Sequence, residues 1–116
     1  MPELPLRYTM SLRIHREKKC FGAGVAQLLR TVQETHSLRA ATMRMDMAYS
    51  KAWSIIKTAE EQLGFKLLNA TTGGKGGGGA TLTPEAEKLL ADYENFEQEM
   101  REAADALFEK HFAQYK

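Results

Sequence analysis

Residues 37–64 read SLRAATMRMDMAYSKAWSIIKTAEEQLG, and the order of polar and apolar residues within them decides the fold. Ser37 can cap a helix, because its hydroxyl accepts a hydrogen bond from a free backbone N–H of the first turn. Behind it, Leu38, Ala40, Ala41 and Met45 predict the inward face of a short helix. Asp46 stands where the chain must turn, and aspartate tolerates left-handed backbone better than most residues. From Tyr49 to Leu63, Ala52, Ile56, Ala59 and Leu63 recur at steps of four, three and four, the inner stripe of a second helix. Gly64 ends it, as glycine after a last turn commonly does. Two helices this close, joined by a turn this tight, make a helix-turn-helix.

Outward from that unit, Val25, Leu28, Leu29 and Val32 predict a preceding helix that begins near Ala23. Before it, Leu6, Tyr8, Met10, Leu12 and Ile14 alternate with Arg7, Thr9, Ser11 and Arg13. A period of two predicts a half-buried strand, and Arg16-Glu17-Lys18-Lys19 breaks it as a turn would. On the other side, residues 65–71 read as a strand and residues 80–82 as its partner. The loop between them holds six glycines around Lys75, the composition of a flexible wing.

Thr83-Pro84-Glu85 starts a last helix: a capping hydroxyl, a proline in the first turn and an acid near the positive end of the dipole. About 30 residues remain, enough for roughly 45 Å of helix. Ala86, Tyr93, Met100 and Leu107 recur every seven residues, as do Leu89, Phe96 and Ala103. Two interleaved heptad positions describe a coiled-coil seam, and Leu90, Ala104, Phe108 and Phe112 widen it. A helix longer than its own small domain, with such a stripe, predicts burial against a second copy through Leu89, Tyr93, Phe96, Met100 and Leu107. The opposing reading folds the helix back on its own body. The expected class is mainly α with a small β component: a winged helix-turn-helix over residues 1–83 and a dimerisation helix over residues 84–116.

The formal charge of +1 conceals a division. Residues 1–80 carry 12 Lys or Arg against 6 Asp or Glu, whereas residues 81–116 carry 4 against 9. A basic body can face phosphates while an acidic tail points away. No run approaches the ~18 apolar residues of a membrane span. Residues 1–14 lack the order of a signal peptide. Cys20 has no second cysteine to pair with, which fits a reducing compartment, so the reading is cytoplasmic.

In a helix-turn-helix the second helix enters the major groove with its first turns. Ser50, Lys51, Ser54 and Lys57 project away from the core stripe, and Tyr49 leads the helix. Serine and lysine bond to base edges or phosphates, and a tyrosine ring can rest on a thymine methyl. Tyr49, Ser50, Lys51 and Ser54 are therefore assigned to base edges and Lys57 to a phosphate. Trp53, on the border of the stripe, reads as a packing anchor or shelf. In the wing, Gly74 and Gly76 let backbone N–H groups approach phosphates, and Lys75 supplies a charge. That loop is not a nucleotide cradle, because Lys75 is followed by four glycines rather than Ser or Thr and a helix. His15, His36, His111 and Cys20 are scattered beyond metal-ligand spacing, and the methionines read as core filler. Nothing proposes an enzyme, a cofactor, a metal or a small-molecule site; the partners read are double-stranded DNA and a second copy.

Three stretches, Ser37-Leu38-Arg39-Ala40-Ala41, Met47-Ala48-Tyr49-Ser50-Lys51-Ala52-Trp53, and residues 70–83 with their glycine run, resemble the DNA-binding domain of the ModE family of molybdate-responsive regulators. Residues 37–68 also resemble the helix-turn-helix of LysR-type regulators, through the closing Leu63-Gly64-Phe65-Lys66-Leu67-Leu68. The resemblance implies a winged helix, dimerisation through the terminal helix and N-terminal segment, a palindromic operator, and control of molybdate or related metal and oxyanion transport genes. Ala48 departs from the family's usual serine and Asn69 from its usual arginine, removing a cap and a phosphate contact. The chain ends at Lys116, where full-length members continue into oxyanion-binding domains, so a short form without the molybdate site is expected. The alternative is a protein-interaction module built on a winged helix that no longer binds DNA. A third reading, direct oxyanion sensing in a dimer crevice, finds no anion site in the residues.

Overall fold

Ser37, Thr83 and Gly64 divide the chain into its helices, and the computed structural model, which describes residues 4–71 and 79–115, shows how each does so. The order is β1 (Arg13–His15), β2 (Lys19–Gly22), α1 (Ala23–Thr35), α2 (Leu38–Arg44), α3 (Tyr49–Leu63), β3 (Leu68–Thr71), β4 (Gly79–Leu82) and α4 (Pro84–Phe112), closed by a 3-10 turn at Ala113–Tyr115. Ser37 Oγ accepts the Ala40 N–H at 3.0 Å. Asp46 takes the left-handed backbone of the turn (φ 53°), and Gly64 ends α3 with φ 86°. Thr83 Oγ accepts the Ala86 N–H at 3.0 Å and donates to the Lys66 carbonyl at 2.7 Å, so the residue that starts α4 also holds the approach to β3. The fold is a winged helix-turn-helix with a long C-terminal helix.

α1, α2 and α3 close around Phe21, Leu28, Leu29, Val32, Ala41, Ala52 and Ile56, all fully buried. Burying one large apolar side chain stabilises the fold by roughly 1.5–3 kcal/mol, so these few residues dominate a domain this small. β3 and β4 pair antiparallel in the register Leu68↔Leu82 to Thr71↔Gly79. Leu68, Ala80 and Leu82 of this ribbon, with Leu67 just before it, are buried against the core. A backbone bond from the Ala80 N–H to the His36 carbonyl at 2.9 Å ties the ribbon to the helices. His36 itself ends α1 with left-handed backbone (φ 57°).

The N-terminal expectation needs correction. The alternation over residues 6–14 is present, with Tyr8, Met10, Leu12 and Ile14 half-buried and Arg7, Thr9, Ser11 and Arg13 exposed, but only Arg13–His15 joins a sheet. Its partner β2 was not foreseen. Residues 20–22 are all buried, so they show no alternation, and the pairing is interrupted by a bulge between Ile14 and His15. Upstream of β1, Tyr8 meets α4 instead of a strand. Tyr8 lies on the Phe108 ring with centroids 5.0 Å apart and donates to Asp105. Nearer the body, the Tyr93 hydroxyl donates to the Leu12 carbonyl at 2.9 Å.

The reading that folds the last helix back on its own body holds for its first turns. These turns of α4 pack on the protomer's own body through Ala86, Leu90 and Tyr93. Tyr93, assigned above to a seam between copies, is 3% exposed and packs edge-on against Phe21, so it is spent within one protomer. Leu89 is half-buried at the margin of the same core and Met100 is half-buried farther along. Phe96 and Leu107 are exposed. The strands likewise fall short of the expected span: residues 65–67 are not in the ladder, because Glu60 takes the Leu67 N–H and Thr83 takes the Lys66 and Leu67 backbone acceptors.

Candidate nucleic-acid interface

α3 buries Ala52, Ile56 and Ala59 and leaves the opposite face open. Ser50, Ser54 and Lys57, spaced by four and three residues, therefore share one exposed strip, with Lys51 beside it. Glu61 continues that strip one turn beyond Lys57 and is also exposed. A carboxylate there repels phosphate, so the surface suited to nucleic acid is confined to the first turns of the helix. The turn-facing end of α3 begins at Ala48, whose side chain offers no cap, and no acid occupies the first turn. The leading N–H groups are thus not bonded by a side chain at the cap, and no acid of the first turn opposes a phosphate oxygen there.

Among the described residues five ion pairs form: Arg30–Glu94, Arg44–Glu34, Lys66–Glu60, Lys88–Asp92 and Arg101–Glu97. None includes Lys51 or Lys57. A cation already paired must give up its partner to meet a phosphate; these two need not. Lys66, just beyond the C-terminal end of α3, is within 3.9 Å of Glu60.

Tyr49 is 36% exposed at the head of α3. Its ring meets Trp53 edge-on, with centroids 6.3 Å apart and planes at 86°. Trp53 is half-buried against the core and acts as the shelf on which Tyr49 stands. Arg39 from α2 places its guanidinium carbon 4.4 Å from the Tyr49 ring centroid. Sequence reasoning missed Arg39. It sits ten residues before Tyr49, and only the angle at which α2 and α3 cross brings the two together. The wing residues Gly74, Lys75 and Gly76 lie outside the described residues. Asn69, where the resemblance expects an arginine, is exposed on β3.

A second set of large apolar residues is exposed outside the helix-turn-helix. Leu4, Leu6, Phe96, Leu107, Phe112 and Tyr115 are exposed, all on α4, the turn after it or the N-terminal segment. Among the described residues no helix is long and apolar enough to cross a membrane.

Comparison with known proteins agrees with the geometry. The bacterial regulatory helix-turn-helix protein model of the lysR family matches residues 25–87. The chain is 39% identical over 72 residues to the molybdenum-pterin-binding protein MopB of Rhodobacter capsulatus, covering 62% of this chain and 27% of that protein. It is 37% identical over 78 residues to the molybdenum transport protein ModE of Herbaspirillum seropedicae, covering 67% and 28%. Against the DNA-binding transcriptional dual regulator ModE of Escherichia coli K12 it is 31% identical over 80 residues, covering 69% and 30%. The matched segments thus span less than a third of these relatives' length.

Proposed function

Because this chain belongs to the lysR family of bacterial regulatory helix-turn-helix proteins, we propose that it acts as a homodimeric transcription regulator that reads a specific sequence in double-stranded DNA. The observation that carries this reading is the strip at the start of α3: Ser50, Ser54 and Lys57 exposed together, Lys51 beside them, and both lysines free of ion pairs among the described residues. Tyr49, Ser50, Lys51 and Ser54 face base edges in the major groove, and Lys57 meets a phosphate. Lys75, with the backbone of Gly74 and Gly76, meets the flanking phosphates from the wing. Two copies place two such helices about one helical turn of DNA apart, and the site is correspondingly two-fold. The relatives are called molybdenum transport and molybdenum-pterin-binding proteins, which makes genes for molybdate or related oxyanion transport the first targets to test. Such a regulator works in the cytoplasm.

The test is a fluorescence anisotropy titration of the chain against random duplex and against duplexes that it selects from a random-sequence pool, at two salt concentrations. Binding that prefers the selected duplex and weakens with salt supports the reading. Lys57→Ala should weaken both duplexes about equally and lower the slope of log K against log salt by about one. Tyr49→Ala should cost more on the selected duplex than on the random one, and equal losses would remove Tyr49 from base readout. No binding at low salt by folded protein would leave a winged helix kept for protein partners.

A further inference from the structure

We propose that Arg39 is a DNA-contacting residue that works as a unit with Tyr49: its guanidinium bonds a backbone phosphate while its flat face fixes the tyrosine ring for base readout. The proposal rests on the DNA-binding reading above and names a residue and a division of labour that reading does not contain.

Three observations converge. The Arg39 guanidinium carbon stands 4.4 Å from the Tyr49 ring centroid, a distance at which the cation is held by the negative face of the ring. A second contact comes from Trp53, whose ring meets Tyr49 at 86°. Tyr49 is thereby held by two contacts at the point where α3 begins, although it remains 36% exposed. Finally, Arg39 forms none of the five ion pairs found among the described residues, and the one side-chain hydrogen bond that reaches it there is to its carbonyl, which accepts the Thr42 hydroxyl at 2.7 Å, not to its guanidinium. A guanidinium spent through its face keeps the N–H groups of its edge for a second partner. The first helix of a helix-turn-helix crosses the DNA backbone while the second enters the groove. Arg39 on α2 and Tyr49 on α3 are therefore in the positions of a phosphate ligand and a base reader, joined by a ring contact. Holding Tyr49 before DNA arrives removes part of the ordering cost of binding, and an aromatic ring in one orientation separates one base step from another better than a mobile one.

The test compares Arg39→Ala, Arg39→Lys, Tyr49→Ala, Arg39→Ala combined with Tyr49→Ala, and Lys57→Ala in the whole chain, each titrated against the selected and the random duplex at several salt concentrations. Arg39→Ala should lower the salt slope by about 0.9, the loss of one phosphate contact, and should also reduce the preference for the selected duplex. Arg39→Lys should recover the slope, because it restores the charge, but not the preference, because an ammonium lacks the flat face. In the Tyr49→Ala background, Arg39→Ala should lower the slope with no further loss of preference. Arg39→Lys that matches the native chain in both respects would overturn the positioning half of the proposal. Arg39→Ala with unchanged slope and preference, while Lys57→Ala still lowers the slope, would overturn all of it and leave DNA binding standing. If the native chain shows no salt-dependent binding, both the DNA-binding reading and this proposal fail.

Discussion

Tyr8 and Tyr93 are both held in their neutral form, by different means. The Tyr8 hydroxyl donates to Asp105, and that bond, with some burial and the nearby carboxylate charge, raises its pKa above 10.0. For Tyr93 burial is the main cause, and the charge of Glu97 adds to it. Both shifts are upward, so the folded state holds these protons more tightly than the unfolded chain. Their contribution to stability is complete below pH ~10 and is lost as pH rises through the folded values. Phenolate absorbance should therefore appear later in the native protein than in denaturant, and Tyr93→Phe should remove part of the delay. Superposable titrations would show that the contacts of the N-terminal segment and α4 do not persist in solution. At this scale the capping role of Ser37 was legible, since a cap is a bond to a backbone three residues on. The Arg39–Tyr49 contact was not, because nothing local relates residues ten apart across a turn.

Thr83 shows how one residue can serve two elements. It is 6% exposed, caps α4, donates to the Lys66 carbonyl, and sends its own N–H to the Leu67 carbonyl at 3.0 Å. Thr83→Val keeps the shape but removes both side-chain bonds, leaving the Ala86 N–H and the Lys66 carbonyl without that partner. The expected cost is about 1–3 kcal/mol, read as a lower urea midpoint at unchanged m-value. Ser37→Ala, at a half-exposed cap, should cost about 1 kcal/mol by the same measurement. The bounds of α3 and α4 were readable because Tyr49, Gly64 and Thr83-Pro84 signal locally. β2 was not, because a strand buried on both sides at Cys20, Phe21 and Gly22 carries no period, and it sits directly against the start of α1. The strand expected over residues 6–14 failed for the complementary reason: a period of two records alternate burial, and a helix can supply that burial as well as a neighbouring strand can.

At the scale of the whole molecule the chain is far from a sphere. Its radius of gyration is 18.0 Å, against ~13 Å for a compact domain of this length. The excess comes from α4, whose first turns belong to the core while Phe96, Leu107 and Phe112 remain exposed beyond it. A second copy is the proposed cover for that face. Phe96→Glu with Leu107→Glu should convert the proposed dimer to a monomer in sedimentation at micromolar concentration, with helix content kept because both side chains are exposed in the single chain. The same variant should lose most of its preference for a two-fold duplex. Sedimentation unchanged by both substitutions would place the proposed dimer contact elsewhere.

The sequence by itself determined the helix-turn-helix, the positions of its caps, the wing's place after it and the exposed strip of α3, because each follows from neighbours within about one or two turns of chain. Only the tertiary structure decided that the N-terminal segment meets α4, that Tyr93 is spent inside its own protomer, and that Arg39 stands on Tyr49. Those contacts join residues up to 97 positions apart, and they depend on the angles at which elements pack, which periodicity does not carry. A stripe along a helix reports how much of it is buried; what buries it is settled by where the rest of the chain goes.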